Sequence, residues 1–256
     1  MKNVYSENYN ALPDVIEADE ELTKMGRDTI LDPLLEVIAK HDLQEVVGLR
    51  LLHNHNQITK DEIMLEREEV NRNENCLTTK ATKLSDVGKG FYPNSWALTD
   101  TLIPLEYSSD PSMKNDSHRI LTNQSFIKDF KNEVTRLGVD HLLGLYVLQR
   151  QFFEKGKPDL ELNYELIETT DVARRANIIT YKKSSEIEEG SLIDTVWAYQ
   201  NNDITMGCER VKVGCTRLGC NVVVIRCIED GFGGHERKVV QHDKSHAEDF
   251  DHILRP

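Results

Sequence analysis

The chain repeats itself. Gly48-Leu49-Arg50-Leu51-Leu52-His53-Asn54-His55 recurs 96 positions later as Gly144-Leu145-Tyr146-Val147-Leu148-Gln149-Arg150-Gln151. The same offset aligns Ile30 with Phe126, Leu31 with Ile127, Leu34 with Phe130, Ile38 with Val134, Leu43 with Val139 and Val46 with Leu142. Those spacings of three, four and seven are the rhythm of a helix that buries one face. Further on, Ser85-Asp86-Val87 with Gly90 resembles Ser185-Glu186-Ile187 with Gly190, and Trp96 is matched by Trp197 after a small change of register. A repeat of this kind restricts the fold to two like units, each an amphipathic helix followed by strands. The competing explanation is that any two helix–strand units look alike, because all obey the same periodicities.

The local signals give an α+β order. A short helix is expected over 18–27 and a stronger one over 31–40, with Pro33 in its tolerated first turn. A strand over 46–54, a turn over 57–61 and a strand over 62–70 read as a hairpin. A loop follows over 71–75, and Pro104 is expected to end a strand begun near 95. In the second unit a helix is expected over 125–137, extended chain over 142–153, a turn at 155–158 and a returning strand over 160–167. Further strands are expected over 178–181, 195–199 and 221–227. The expected organisation is an N-terminal extension (1–28), a first α+β repeat (29–107), a connector (108–122), a second repeat (123–207) and a Cys/His-rich segment (208–256). The two helix-plus-β-hairpin halves are expected to form one or two packed sheets.

Composition narrows the function classes. With 256 residues and a net charge of −13, the chain is long enough for a substantial core. Its acidity argues against a nucleic-acid backbone as partner, which needs clustered Lys and Arg. The N-terminus opens on polar, acidic sequence without the apolar run of a secretory signal or membrane span, so a cytoplasmic location and no membrane partner are expected. Five cysteines, an odd number, suit a reducing compartment better than a disulfide framework.

Chemistry concentrates where the two copies disagree. His53 and His55 in the first copy stand where the second has Gln149 and Gln151. On a strand the two imidazoles would share a face with Leu49 and Leu51, and both could reach one divalent ion, zinc or iron. Hairpin geometry offers Glu62 or Glu66 as the carboxylate that completes a two-His-one-carboxylate set. The plainer alternative is a pair of histidines satisfied by backbone carbonyls or a neighbouring carboxylate. The metalloprotease and cupin patterns that contain His-x-His are incomplete here, and His-Glu-x-x-His is absent.

A second cluster of ligand types lies near the C-terminus, where Cys215, Cys220, His235 and His242 are the first set to test for a structural zinc. The spacing lacks a Cys-x-x-Cys knuckle, and buried cysteines beside a solvated acidic tail explain the same residues. Gly231-Phe232-Gly233-Gly234 lacks the spacing of a dinucleotide loop and the lysine of a phosphate loop, so no nucleotide cofactor is expected.

Gly48, Leu51, Leu52, His53 and His55 spell Gly-x-x-Leu-Leu-His-x-His behind an amphipathic helix, and this stretch resembles one in uncharacterised, largely fungal proteins. Those proteins carry an aromatic residue where this chain has Asn56. The resemblance implies no activity. Two functional expectations therefore stand: a metal-dependent enzyme acting on a small molecule through the His-x-His site, or a non-catalytic protein-interaction module built on the duplicated scaffold.

Overall fold

The computed structural model describes residues 2–71, 74–149, 164–183, 185, 192–199, 222–230 and 234–241. The fold is α+β. Helices α1 (Lys2–Asn10), α2 (Val15–Met25) and α3 (Arg27–Lys40) precede strands β1 (Val47–Leu51), β2 (Glu62–Asn71), β3 (Glu74–Lys83), β4 (Tyr92–Leu98) and β5 (Leu102–Ser108). Helices α4 (Met113–Thr122) and α5 (Gln124–Leu137) then lead into β6 (Leu143–Val147), β7 (Tyr164–Asp171), β8 (Ala176–Lys183), β9 (Leu192–Tyr199), β10 (Val222–Asp230) and β11 (Gly234–Gln241).

The strands curl into a closed barrel in the order β1-β6-β4-β5-β2-β3-β8-β7-β11-β10-β9, with β9 returning to β1. Most neighbours are antiparallel, while β2–β5 and β7–β10 run parallel. Leu49 of β1 sits opposite Leu145 of β6. On the outer flanks of that pair, Leu145 faces Trp96 of β4 and Leu49 faces Trp197 of β9. Farther round, Thr78 of β3 faces Ile178 of β8.

The helices lie against the outside of the barrel. Leu34 and Ile38 of α3 and Phe126, Phe130 and Val134 of α5 are buried in one cluster with Leu49, Leu51, Leu145, Val147, Trp96 and Trp197. Removing this apolar surface from water is the main drive for docking helix on sheet. The helix ends are fixed locally. Asp14 accepts a hydrogen bond from the Ile16 amide at 2.8 Å, and Asn123 caps α5 by accepting from the Phe126 amide at 3.0 Å. Gly26, at φ +90°, ends α2 and starts α3 in one residue, a backbone conformation in which a side chain would be strained.

Gly48 and Gly144 are needed for close approach. A β-carbon on Gly48 would lie 2.7 Å from the Trp197 carbonyl oxygen and press on Leu148; one on Gly144 would overlap the Trp96 carbonyl oxygen and Leu52. The repeated glycine is thus explained by a tryptophan carbonyl crossing over it in each case.

Several sequence expectations change. Helix α3 begins at Arg27, so Pro33 lies inside it and cannot donate to the Thr29 carbonyl; the buried faces of α2 and α3 hold the turn together regardless. The expected β1–β2 hairpin does not form. Strand β1 pairs with β6 and β9, and β2 pairs with β3 over ten residues from Glu62↔Lys83 to Asn71↔Glu74. Of the expected loop at 71–75, residues 71, 74 and 75 belong to this ladder, and 72 and 73 lie outside the described residues. Pro104 is accommodated within β5, opposite Trp96, because the β2 ladder reaches β5 only at Tyr107 and Ser108 and no neighbour needs the missing N–H. The expected connector holds the end of β5 and α4, whose Met113 and Ile120 join the helix-side core.

Candidate functional site

The inside of the barrel holds charged and polar groups beside an apolar cluster of Tyr146, Leu148, Val196 and Ala198. Arg50, midway along an otherwise apolar strand, is buried beside Glu106 of β5, with Nη2 donating to Oε1 at 2.9 Å and Nη1 donating to Oε2. Strands β1 and β5 are separated by β6 and β4 around the barrel, so the pair spans the interior. The Arg50 guanidinium also lies 5.3 Å from the centre of the Tyr146 ring, within cation–π range. Burial opposes its charge, but the Glu106 carboxylate outweighs that and holds it protonated above its usual range.

Glu66, from β2, is 1 % exposed. Its Oε1 accepts from Asn94 Nδ2 at 2.9 Å and from Gln149 Nε2, and its Oε2 accepts from the Tyr146 hydroxyl at 3.4 Å. Every one of these donors is neutral. Desolvation, reinforced by the nearby Glu106 charge, pushes the Glu66 carboxyl up to about 7, against the pull of Gln149 and Arg50. A buried carboxyl titrating near neutrality is the usual starting point for acid–base work.

Asn94 reaches Glu66 because β4 bulges. Pro93 pairs with Tyr107 and Ser95 with Glu106, so Asn94 has no opposite residue on β5. A bulge re-aims a side chain. Asn94 and Ser95 are both fully buried, and neither Asn94 Oδ1 nor Ser95 Oγ has a hydrogen-bond partner among the described residues. Ser95, Arg50, Glu106 and His53 line a crevice closed by Tyr9 and Leu12, with no room for a water-sized sphere as it stands.

His53 and His55 are buried, with ring centres 4.5 Å apart in an edge-on contact. They do not continue the Leu49–Leu51 row. Strand β1 ends at Leu51 and the chain turns away, held by the Asn54 amide donating to the Pro13 carbonyl at 3.1 Å and by Asn54 Nδ2 donating to the Leu12 carbonyl. Alternation stops where the ladder stops, so His53 joins Arg50 and Leu52 at the crevice rather than the helix-side core. His53 Nδ1 is 2.8 Å from the Leu51 carbonyl. His55 Nδ1 is 3.4 Å from Thr170 Oγ1, and its Nε2 is 3.6 Å from Glu168 Oε1, both on β7.

The carboxylates expected beside the histidines are engaged elsewhere. Glu62 takes both Arg175 nitrogens at 2.8 Å and the Thr59 amide at 2.8 Å. These bonds, Arg175 first, hold its carboxyl down at about 2. Glu66 belongs to Gln149, Asn94 and Tyr146. The error lay in the hairpin: with β1 and β2 apart, neighbouring in sequence is not neighbouring in space, and Glu168 of β7 is the carboxylate that meets His55. Among the described residues no three His, Cys, Asp or Glu side chains are grouped so as to hold a metal ion. Cys215, Cys220 and His242 lie outside the described residues, and His235 is described only as a backbone position of β11 opposite Glu229.

Arg50, Glu106, Asn94 and Tyr146 were not singled out from sequence. One signal was available: an arginine in the middle of Val47–Leu51, a strand buried at all five positions, must have a partner. Among the described residues no helix is long and apolar enough to cross a membrane. No family model, no curated protein and no solved structure matches the chain.

Proposed function

We propose that this chain is a duplicated α+β barrel that takes a small polar molecule into its interior and acts on it by proton transfer. In this reading Glu66 carries the proton, Asn94, Gln149 and Tyr146 hold its carboxyl in place, the Arg50–Glu106 pair fixes the local field, and His53 and His55 with Glu168 form a second acid–base group.

The observation that carries the reading is the polarity of the interior. A barrel that only has to stay folded fills its inside with branched apolar side chains, and each buried polar atom left unpaired costs about 1–3 kcal/mol. This one buries Arg50, Glu66, Glu106 and Glu168, with Asn94 Oδ1, Ser95 Oγ and Asn177 Nδ2 lacking partners among the described residues. A set of groups that weakens the fold is retained where it serves a ligand.

Duplication is supported by the way equivalent residues meet. Leu49 and Leu145, equivalent under the repeat, face each other, and each also faces the other half's tryptophan strand. Gly48 lies under Trp197 and against Leu148, as Gly144 lies under Trp96 and against Leu52. Glu66 and Glu168 then occupy like places on β2 and β7, and each meets the other half's segment: Gln149 for Glu66, His55 for Glu168. The zinc or iron expected at His53 and His55 is not part of this reading, because Glu62 and Glu66 are held by other partners.

A thermal-shift screen of small polar molecules against the wild type and Glu66→Leu tests the proposal. Compounds that raise the wild-type melting temperature and lose that effect in Glu66→Leu, while the variant by itself melts at or above the wild-type temperature, are the expected result. A variant that melts several degrees lower, with no compound acting on either protein, would mean that the interior network is structural.

A further inference from the structure

Resting on the reading of the barrel interior as a small-molecule site, we infer that the ligand it takes beside Glu66 is a small organic cation, a protonated amine or guanidinium compound.

Among the residues whose side chains are described, the barrel encloses the carboxylates of Glu66, Glu106 and Glu168, and one obligate cation, Arg50. That cation is committed: both terminal nitrogens of Arg50 are on Glu106. Glu168 has His55 at 3.6 Å. The hydrogen-bond donors on Glu66 are the neutral groups of Asn94, Gln149, Tyr146 and Ser108. A buried carboxylate without a cation is costly, and it either stays protonated or takes a positive partner.

The unpartnered atoms point the same way independently. Asn94 spends its amide nitrogen on Glu66, which leaves Oδ1, an acceptor, with no donor among the described residues; Ser95 Oγ, next along the bulge, is likewise without a partner among them. An open amide oxygen beside a carboxylate calls for a ligand made of donors, and the Ser95 hydroxyl can accept from one as well. Ammonium and guanidinium groups are donors only, and both carry the charge that Glu66 lacks opposite it. The fold already accommodates one such group, since the Arg50 guanidinium is held between Glu106 and the face of Tyr146. An anion would meet Glu66 and Glu106 together. The neighbouring crevice, lined by Ser95, Arg50 and Glu106 together with Tyr9 and Leu12, has no room for a water-sized sphere, so a ligand reaching Ser95 has to be compact and admitted by movement of side chains.

Isothermal titration calorimetry of the full chain at pH 7.5 with ethylammonium and agmatine, using acetate and acetamide as anionic and neutral controls, tests the assignment. Either amine is expected to bind at least about tenfold more tightly than the controls, to lose about tenfold or more in Glu66→Gln, and to bind unchanged in Glu68→Gln, an exposed position on the same strand. In the wild type alone, amine affinity is expected to rise about tenfold per pH unit between pH 5 and 7 as Glu66 gives up its proton. A flat pH dependence, or equal amine binding by Glu66→Gln, would overturn the inference even if other variants fold poorly. Acetate or acetamide binding that depends on Glu66 would overturn the cation class and leave the interior site standing. No binding by any probe, with Glu66→Leu melting below the wild type, would remove both.

Discussion

Glu62 and Glu66 lie one above the other on the same face of β2, and their surroundings drive them in opposite directions. Glu62 is pulled down to about 2, chiefly by Arg175, and Glu66 is pushed up to about 7, chiefly by burial. For Glu66 the folded carboxyl binds its proton more tightly than the unfolded one at 4.5. Its contribution to stability is therefore complete below pH 4.5 and is lost as pH rises through 7, about 3 kcal/mol in all. For Glu62 the sign reverses: its contribution is present above 4.5 and is lost as pH falls towards 2. That contribution is nearer 1–2 kcal/mol, because the Arg175 partner is 39 % exposed and screened by solvent. Urea unfolding from pH 4.5 to 7.5 is expected to show stability falling with pH in the wild type and a shallower fall in Glu66→Gln. Identical slopes would show that Glu66 does not hold its proton into the neutral range.

At the scale of elements, α1 does what a ladder hydrogen bond would otherwise do. Strands β2 and β5 pair at only two positions, and above them the Tyr5 hydroxyl fills the gap, donating to the Leu105 carbonyl at 2.7 Å and accepting from the Met64 amide at 3.1 Å. Asn10 at the far end of the helix exchanges two 2.9 Å hydrogen bonds with Ile58. Tyr5→Phe removes one acceptor and one donor from partly buried backbone groups, so a loss of about 1–3 kcal/mol is expected by chemical denaturation; a variant as stable as the wild type would mean that α1 only rests on the barrel. None of this was legible in Lys2–Asn10, a polar segment with no apolar stripe. Helices α2, α3 and α5 were legible, because an amphipathic helix on the outside of a barrel shows the period its packing requires. Strand β2 was also read nearly to its ends. Strand β3 was missed for a physical reason: Thr78 and Thr79 are buried beside Cys76 and Leu77, so its sequence lacks the alternation of a half-buried strand. The His-x-His segment was found by comparing the two copies. Its partners were not, since Glu168 and Thr170 lie more than a hundred residues away and reach His55 only through barrel closure.

On the proposed duplication, the two halves exchange their first strands. Among the described residues strand β1 has no ladder with a strand of its own half; it pairs with β6 and β9, while β6 pairs with β1 and β4. Each half thus contributes four strands, β2–β5 or β7–β10, to one side of the barrel and receives its fifth from the other half, and β3 meets β8 at the opposite seam. Such an arrangement is what fusion of a strand-swapped, two-fold symmetric dimer would leave behind, since a two-fold interface brings equivalent residues together on the axis. Leu49 facing Leu145 is one such meeting; Thr78 facing Ile178 is a second, since each stands one residue before the ladder partner of Glu66 or Glu168, Thr79 and Ile179, and β11, inserted between β7 and β10, has no counterpart among the described residues of the first half. The consequence can be measured. A chain ending after β5, at residue 110, has an unpaired β1 and an open edge on β4 that accepts the same strand from a second copy. Analytical ultracentrifugation of that half is expected to give a folded dimer that rebuilds both seams. A folded monomer would show that β1 finds a place within its own half, and the duplication would then be a likeness of units rather than the record of a dimer.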